Sequence, residues 1–194
     1  MKWLFTLVFG LASVCHAADL SDVDRYLGAP DWSAMGVPRE VVATFSECTS
    51  FSGCSSAMDV VFDVRLKSVD ILEITTLSKG RATNRQALER SRYEEANGNW
   101  VRLNLASVAS YGYETRIVSL NEETFPVRWR GEDWVLPVLR VVAEARNQMG
   151  DVQNLTYLAS RDIKGYGAVL FYEQKQSRPM NVIRTTVVKE IRDR

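Results

Sequence analysis

Few residues able to do chemistry are available in this chain, and their positions narrow the choice further. The 194 residues include one histidine and three cysteines. His16 and Cys15 close an N-terminal pattern in which Met1-Lys2 is a basic start, Trp3 to Val14 is apolar, and Cys15-His16-Ala17 precedes Ala18 as a cleavage point would. These are the three parts of a secretory signal peptide, assigned to residues 1–17. The apolar run falls short of the ~18 residues that read as a membrane span. Val14 in front of Cys15 argues against lipidation of that thiol.

Processing there leaves residues 18–194 as a single domain without a histidine. A serine or cysteine nucleophile paired to an imidazole base is then excluded. So are nearly all zinc, copper and non-haem iron sites. The remaining Cys48 and Cys54 are an even pair in an oxidising compartment and are expected to form a disulfide. No cofactor and no metal is expected. Basic and acidic residues number 24 each, and the signal peptide takes one lysine away, so the processed chain is close to neutral. Balanced charge offers no field for nucleic acid. Paired carboxylates remain as a route to hydrolysis. However, Glu94-Glu95 and Glu122-Glu123 are adjacent pairs near expected turns, where neighbouring side chains diverge.

Other groupings suit binding. Arg81, Arg85, Arg90, Arg92 and Arg102 crowd one stretch, interleaved with Glu89, Glu94 and Glu95. If that stretch is a hairpin turning at Asn97-Gly98, Arg90 and Arg92 share a face and Arg102 joins them across the strands. Such a patch suits an anionic glycan, a lipid headgroup or an acidic partner; the alternative, which the interleaved glutamates favour, is an exposed sheet face of ion pairs. The loop Cys48–Cys54 is a small ring expected to pin the end of the second helix to the first strand; the functional alternative is a rigid tip that presents Phe51 to a protein partner. Closing it stabilises the fold by about 2 kcal/mol through chain entropy. Trp129, Trp134, Tyr157, Tyr166, Phe171 and Tyr172 gather in the C-terminal half, with Trp129 and Trp134 as candidate binding aromatics. Tyr166 to Tyr172 is apolar on both faces, so it reads as a central strand covered on both sides. Its second cover is either a helix layer or a cavity for a hydrophobic ligand.

The elements that must hold these groups form an α+β pattern. Leu20, Val23 and Leu27 share a helical face, with acids before them and Gly28 after. Pro38 suits the first turn of a second helix ending near Cys48. Strands are expected at Met58–Leu66, at Val69–Leu77 with a bulge or bend, at Leu88–Glu95, at Trp100–Leu105 and at Tyr113–Leu120. A rival reading makes residues 83–97 a helix, because Thr83-Asn-Arg-Gln86 is a capping box. Ala106 to Gly112 reads as a loop and Asn121-Glu122-Glu123 as a turn. From Thr124 to Ile191 sequential strands broken by Gly131-Glu132-Asp133 and Gln148-Met149-Gly150-Asp151 imply an antiparallel meander. Pro126 and Pro137 belong to an edge or a bulge.

The expected architecture is a curved antiparallel sheet of about seven to nine strands with one or two short N-terminal helices. A half-open or closed β-barrel is the alternative. The first functional expectation is an exported, non-catalytic binding or assembly module using a sheet concavity or the Arg-rich hairpin face. Next comes a secreted inhibitor or interaction protein presenting the Cys48–Cys54 loop, and third a carboxylate-dependent hydrolase. The partner is then a protein, an anionic glycan or lipid headgroup, or a hydrophobic ligand, with no nucleic acid and no membrane span. The location is periplasmic in a Gram-negative source and otherwise secreted.

Overall fold

The computed structural model describes residues 19–28, 31–177 and 181–194; the expected signal peptide, 1–17, lies outside the described residues. Helix α1, Leu20–Leu27, starts at Asp19, whose carboxylate accepts from the Ser21 and Asp22 N–H groups while the Asp22 side chain accepts from the Asp19 N–H. This reciprocal capping satisfies N–H groups that the first helical turn leaves without partners. Gly28 ends the helix at φ +81, a conformation glycine adopts without steric cost.

The chain after Pro38 is a strand where a helix was expected. β1, Arg39–Thr49, pairs with β3, Met58–Ser68, on one edge and with β10, Val182–Asp193, on the other. The spacing of Val41, Val42 and Phe45 suits either element. Pairing on both edges and the β-branched Val41, Val42 and Thr44 decide for the strand. Val41 and Ala43 are buried on one face. A two-residue strand β2, Gly53–Cys54, folds back on β1, and Cys48 is bonded to Cys54. The disulfide therefore closes a turn at the end of β1 and does not pin a helix.

β4, Ile71–Ser78, pairs with β3, which bulges between Leu66 and Ser68; Val69 and Asp70, expected in the strand, form the turn before it, so the phase of β4 is set from Ile71 onward. β5, Arg81–Glu89, adds the outer strand. The expected hairpin ends here. Arg90–Glu95 is helix α2 and Trp100–Ser110 is helix α3. Val101, Leu105 and Val108 recur at i, i+4 and i+7, and pack into one core cluster. Asn97 and Gly98 do take positive φ, 50 and 62, but they link two helices. Asn99 then caps α3, accepting from the Val101 and Arg102 N–H groups.

β6, Tyr113–Trp129, runs unbroken through Asn121-Glu122-Glu123, where a turn was expected. Its partner β7, Glu132–Asn147, pairs with it along the whole length, and Arg140 holds Glu123 at 3.3 Å. Val118 is the extra residue of a bulge and stands 55% exposed. Thr124 and Pro126 pair with Pro137 and Val135 in this ribbon. Arg130 and Gly131, both at positive φ, form its turn. β8, Val152–Ser160, and β9, Val169–Gln176, complete the run before β10.

All ten strands belong to one mixed sheet, ordered β5-β4-β3-β1-β10-β6-β7-β8-β9 with β2 on β1. It is mixed because β10 meets β6 in parallel at Glu190↔Arg128 and Ile191↔Trp129. β10 also pairs antiparallel with β9, so β6 to β10 form a ring of five strands. The ring is not counted as a barrel: its parallel closure spans two residue pairs, and β1, β3, β4 and β5 extend beyond it. The architecture is thus α+β and sheet-rich. Among the described residues it has one N-terminal α-helix, a short 3-10 turn at Ser33–Gly36 and two mid-chain α-helices, and its strands do not make a purely antiparallel meander.

Candidate functional site

A cavity of about 370 Å³ lies between the strands β1, β3, β4, β5, β9 and β10 and the helices α2 and α3. Strand alternation builds its floor. Val41, Leu88 and Val188 are buried there, and Phe62, Ile74 and Tyr172 lie among its walls. From above, α3 contributes Trp100, Leu103 and Ser107, which recur at i, i+3 and i+7 on a stripe beside the one facing the core. Polar lining residues that are exposed, and so stand at the opening, are Gln86, Arg92, Asn104 and Ser107.

Aromatic rings form a connected chain along this site. Trp100 meets Tyr166 edge-on at 5.0 Å, Tyr166 meets Phe62 at 5.7 Å, and Tyr93 meets Trp100 at 5.8 Å and Trp32 at 5.6 Å. Tilted and edge-to-face pairs at such separations stabilise by about 0.5–1.5 kcal/mol each beyond the area they bury. Burial pushes the Tyr93 hydroxyl up to about 12, and a nearby Asp31 adds to it. It pushes Tyr172 to about 12 and raises Tyr166 well above the ordinary range. Burial therefore favours the neutral form of these phenols.

Two polar anchors hold the covering elements. Arg39, only 7% exposed, donates from Nη1 to the Lys164 and Tyr166 carbonyls at 2.6 and 2.9 Å, and from Nε to Asp193 at 2.6 Å. It thus fixes the loop that carries Tyr166. Beside it, Gly167 sits at φ +99, where a Cβ would lie 3.2 Å from Val41 and 3.3 Å from Ile191. On α1, Asp24 accepts from Arg102 Nε at 3.0 and 3.1 Å, from Arg102 Nη2 at 2.8 Å, and from Asn97 and Asn99 at 3.0 and 3.2 Å. This clamp ties α3 to α1.

The three arginines read as one patch are separated by it. Arg102 is consumed by Asp24, and Arg90 is held by Glu94 at 2.7 Å with Asp70 at 3.9 Å. Arg92 lines the cavity, and no hydrogen bond or ion pair holds its guanidinium among the described residues. Phe51 stands 85% exposed at the disulfide turn, remote in sequence from every cavity residue but Val41 and Phe62. Trp129 and Trp134 meet at 6.1 Å on the far end of the β6–β7 ribbon, with Arg130 4.7 Å above Trp129. They are not cavity residues.

Val169 and Tyr172 pack with the core cluster under α1 and α3, while Leu170 is buried in another cluster with Val41 and Val188. From Val169 to Tyr172, β9 is therefore apolar on both sides, and Val169 and Tyr172 also line the cavity; the strand expected from Tyr166 starts only at Val169, because Tyr166 and Gly167 form a turn before it. Trp100, Leu103 and Leu88 escaped attention as site residues. For Trp100 and Leu103 the signal was the helical spacing of residues 100–108, which strand alternation through Val101, Leu103 and Leu105 concealed; Leu88 lies on β5. The Trp100 indole N–H is buried without an acceptor among the described residues.

No family model matches this sequence, and no curated protein does. Among solved structures, a protein from Parabacteroides distasonis provisionally described as a lipoprotein aligns over 85% of this chain and 100% of its own, at 8% identity and a TM-score of 0.39. A likeness at that level supports no conclusion about fold or function.

Proposed function

We propose that the chain is an exported, non-catalytic binding module that holds an apolar ligand in the cavity between its sheet and α3. The observation that carries this reading is the cavity itself. At about 370 Å³ it falls within the roughly 300–1,000 Å³ usual for small-molecule sites. That is the volume of about a dozen waters at roughly 30 Å³ each. Its walls are mainly aliphatic and aromatic, with Thr186 half-buried among them and the other polar side chains at the opening, an arrangement that suits an apolar guest. A second cavity of about 420 Å³ shares Asn104, Ser107 and Tyr172 with the first, so an elongated ligand has somewhere to continue. The Cys48–Cys54 disulfide and the N-terminal pattern support export. No aspartate or glutamate lines the cavity among the described residues, so the paired-carboxylate reading finds no support at this cavity.

The test is titration with the uncharged fluorophore N-phenyl-1-naphthylamine. The protein should enhance its fluorescence saturably with one site. Ser107→Trp places an indole in the opening from an exposed helix position and should weaken binding about tenfold, or 1.4 kcal/mol, without lowering Tm. No saturable binding by the wild type would refute the reading. A specific observation favours one other use of the molecule: the disulfide-closed turn exposes Phe51, which suits contact with a protein. Partner capture that Phe51→Ala abolishes and Ser107→Trp leaves unchanged would favour it.

A further inference from the structure

The cavity carries one formal charge, and its sign specifies the ligand. Among the described residues that line it, Arg92 is the only ionised side chain; the rest are apolar, aromatic, amide or hydroxyl. Arg92 belongs to α2, whose buried Tyr93 anchors that helix in the core cluster containing Met35, Leu72 and Leu88. The stem of Arg92 thus starts from a fixed point beside the opening. Its neighbours in sequence and across the fold are neutralised by partners: Arg90 by Glu94, and Arg102 by Asp24. Of these three, Arg92 is left with an unengaged planar fork, whose geometry matches two oxygens of a carboxylate or phosphate; Arg81 and Arg85, also without a partner among the described residues, do not line the cavity. Gln86, Asn104 and Ser107 share the opening and can donate further hydrogen bonds to such a group.

Resting on the cavity reading above, we infer that the ligand is a single-chain amphiphile whose anionic head, carboxylate or phosphate, is held by Arg92 at the opening while its chain lies along Phe62, Leu88, Leu103 and Tyr172. An apolar chain alone would gain from the walls but leave Arg92 in solvent. A soluble anion alone would gain only a screened surface contact. The two together make a site that discriminates by head group and by chain.

The experiment compares dodecanoate, dodecyl phosphate and dodecan-1-ol by displacement of the naphthylamine fluorophore, below their micellar concentrations. Arg92 is exposed, so the charge-assisted contact is expected to favour an anion over the alcohol by about five- to tenfold. Arg92→Gln should abolish that preference while leaving dodecan-1-ol affinity unchanged, and added salt should narrow the preference in the wild type alone. Which of the two anions binds more tightly separates a fatty acid from a phosphate-headed lipid as the source. Equal affinity of wild type for alcohol and anions would overturn the inference while leaving the cavity reading intact. So would an Arg92→Gln variant that loses all three ligands alike. Binding of none of the three, with no fluorophore binding to displace, would overturn the cavity reading itself.

Discussion

Replacing Asp24 by alanine should be the most damaging change available on the outer side of α3. The carboxylate accepts four hydrogen bonds from Arg102, Asn97 and Asn99 at 2.8–3.2 Å, counting the Arg102 Nε once. The Asp24 and Arg102 side chains are 23% and 28% exposed, between the surface and interior regimes. An exposed ion pair contributes about 0–1 kcal/mol and a broken buried pair costs about 3–5 kcal/mol. Asp24→Ala leaves a half-buried guanidinium and two amides without their acceptor, so a loss of about 2–3 kcal/mol is expected. For a chain of this length about 1 kcal/mol moves Tm by about 2–4 °C, which gives a fall of roughly 5–10 °C. Thermal unfolding followed by circular dichroism, with Arg102→Met and the double variant, closes a thermodynamic cycle. Methionine keeps the packing of the stem. A coupling of about 1–2 kcal/mol is expected for so direct a pair. A Tm change below about 2 °C for Asp24→Ala, or no coupling, would show that α3 is held by apolar packing alone.

Other changes follow from the same structure. Gly167→Ala should lower stability by about 2–4 kcal/mol in denaturant unfolding, because it combines a left-handed backbone with contact on Val41 and Ile191. Cys48→Ser with Cys54→Ser should cost about 2 kcal/mol through the short ring and leave fluorophore affinity unchanged. In acid, Asp59 (hydrogen-bonded by Lys189), Asp31 (by Ser33) and Glu190 (by Arg192) have folded values below their unfolded 3.8 and 4.5. Their contribution is present above those values and is lost as pH falls through the lower folded ones, which unfolding from pH 6 to pH 2 would show. In alkali the sign reverses. Burial raises Tyr93 and Tyr172 to about 12 from 10.0, so stability is present below pH 10 and declines as pH rises toward 12, with delayed tyrosinate absorbance.

The residues that read correctly from sequence were those whose local chemistry has one solution. Asp19 and Gly28 bracket α1 because a cap acceptor and a left-handed terminus have few other uses. Gly150 and the Arg130-Gly131 pair sit at positive φ in turns near those expected from their glycines. Misreadings fell where two periodicities coincide. Val101, Leu103 and Leu105 alternate as a strand would, while Val101, Leu105 and Val108 satisfy a helix. Only the packing of Val101 and Leu105 against Val141 and Tyr157 decides between them. Asn121-Glu122-Glu123 looked like a turn because it is wholly polar, yet an exposed segment of a long ribbon needs no apolar face. Of the residues around the cavity, the sequence singled out the apolar run from Tyr166 to Tyr172, with a helix layer or a cavity as its second cover, and, as part of an arginine cluster, Arg92. The clustering of Arg90 and Arg102 with it depended on a hairpin that the chain does not form.

The indole N–H of Trp100 gives the most direct report on the cavity, because it belongs to a lining residue and is buried without a partner among the described residues. In a ¹H–¹⁵N spectrum its resonance can be assigned by Trp100→Phe. On titration with dodecanoate it should shift saturably together with the Leu88, Leu103 and Val188 methyl groups. Spectra in which those signals stay still, or in which only Phe51 and its neighbours move, would contradict an apolar ligand site beneath α3.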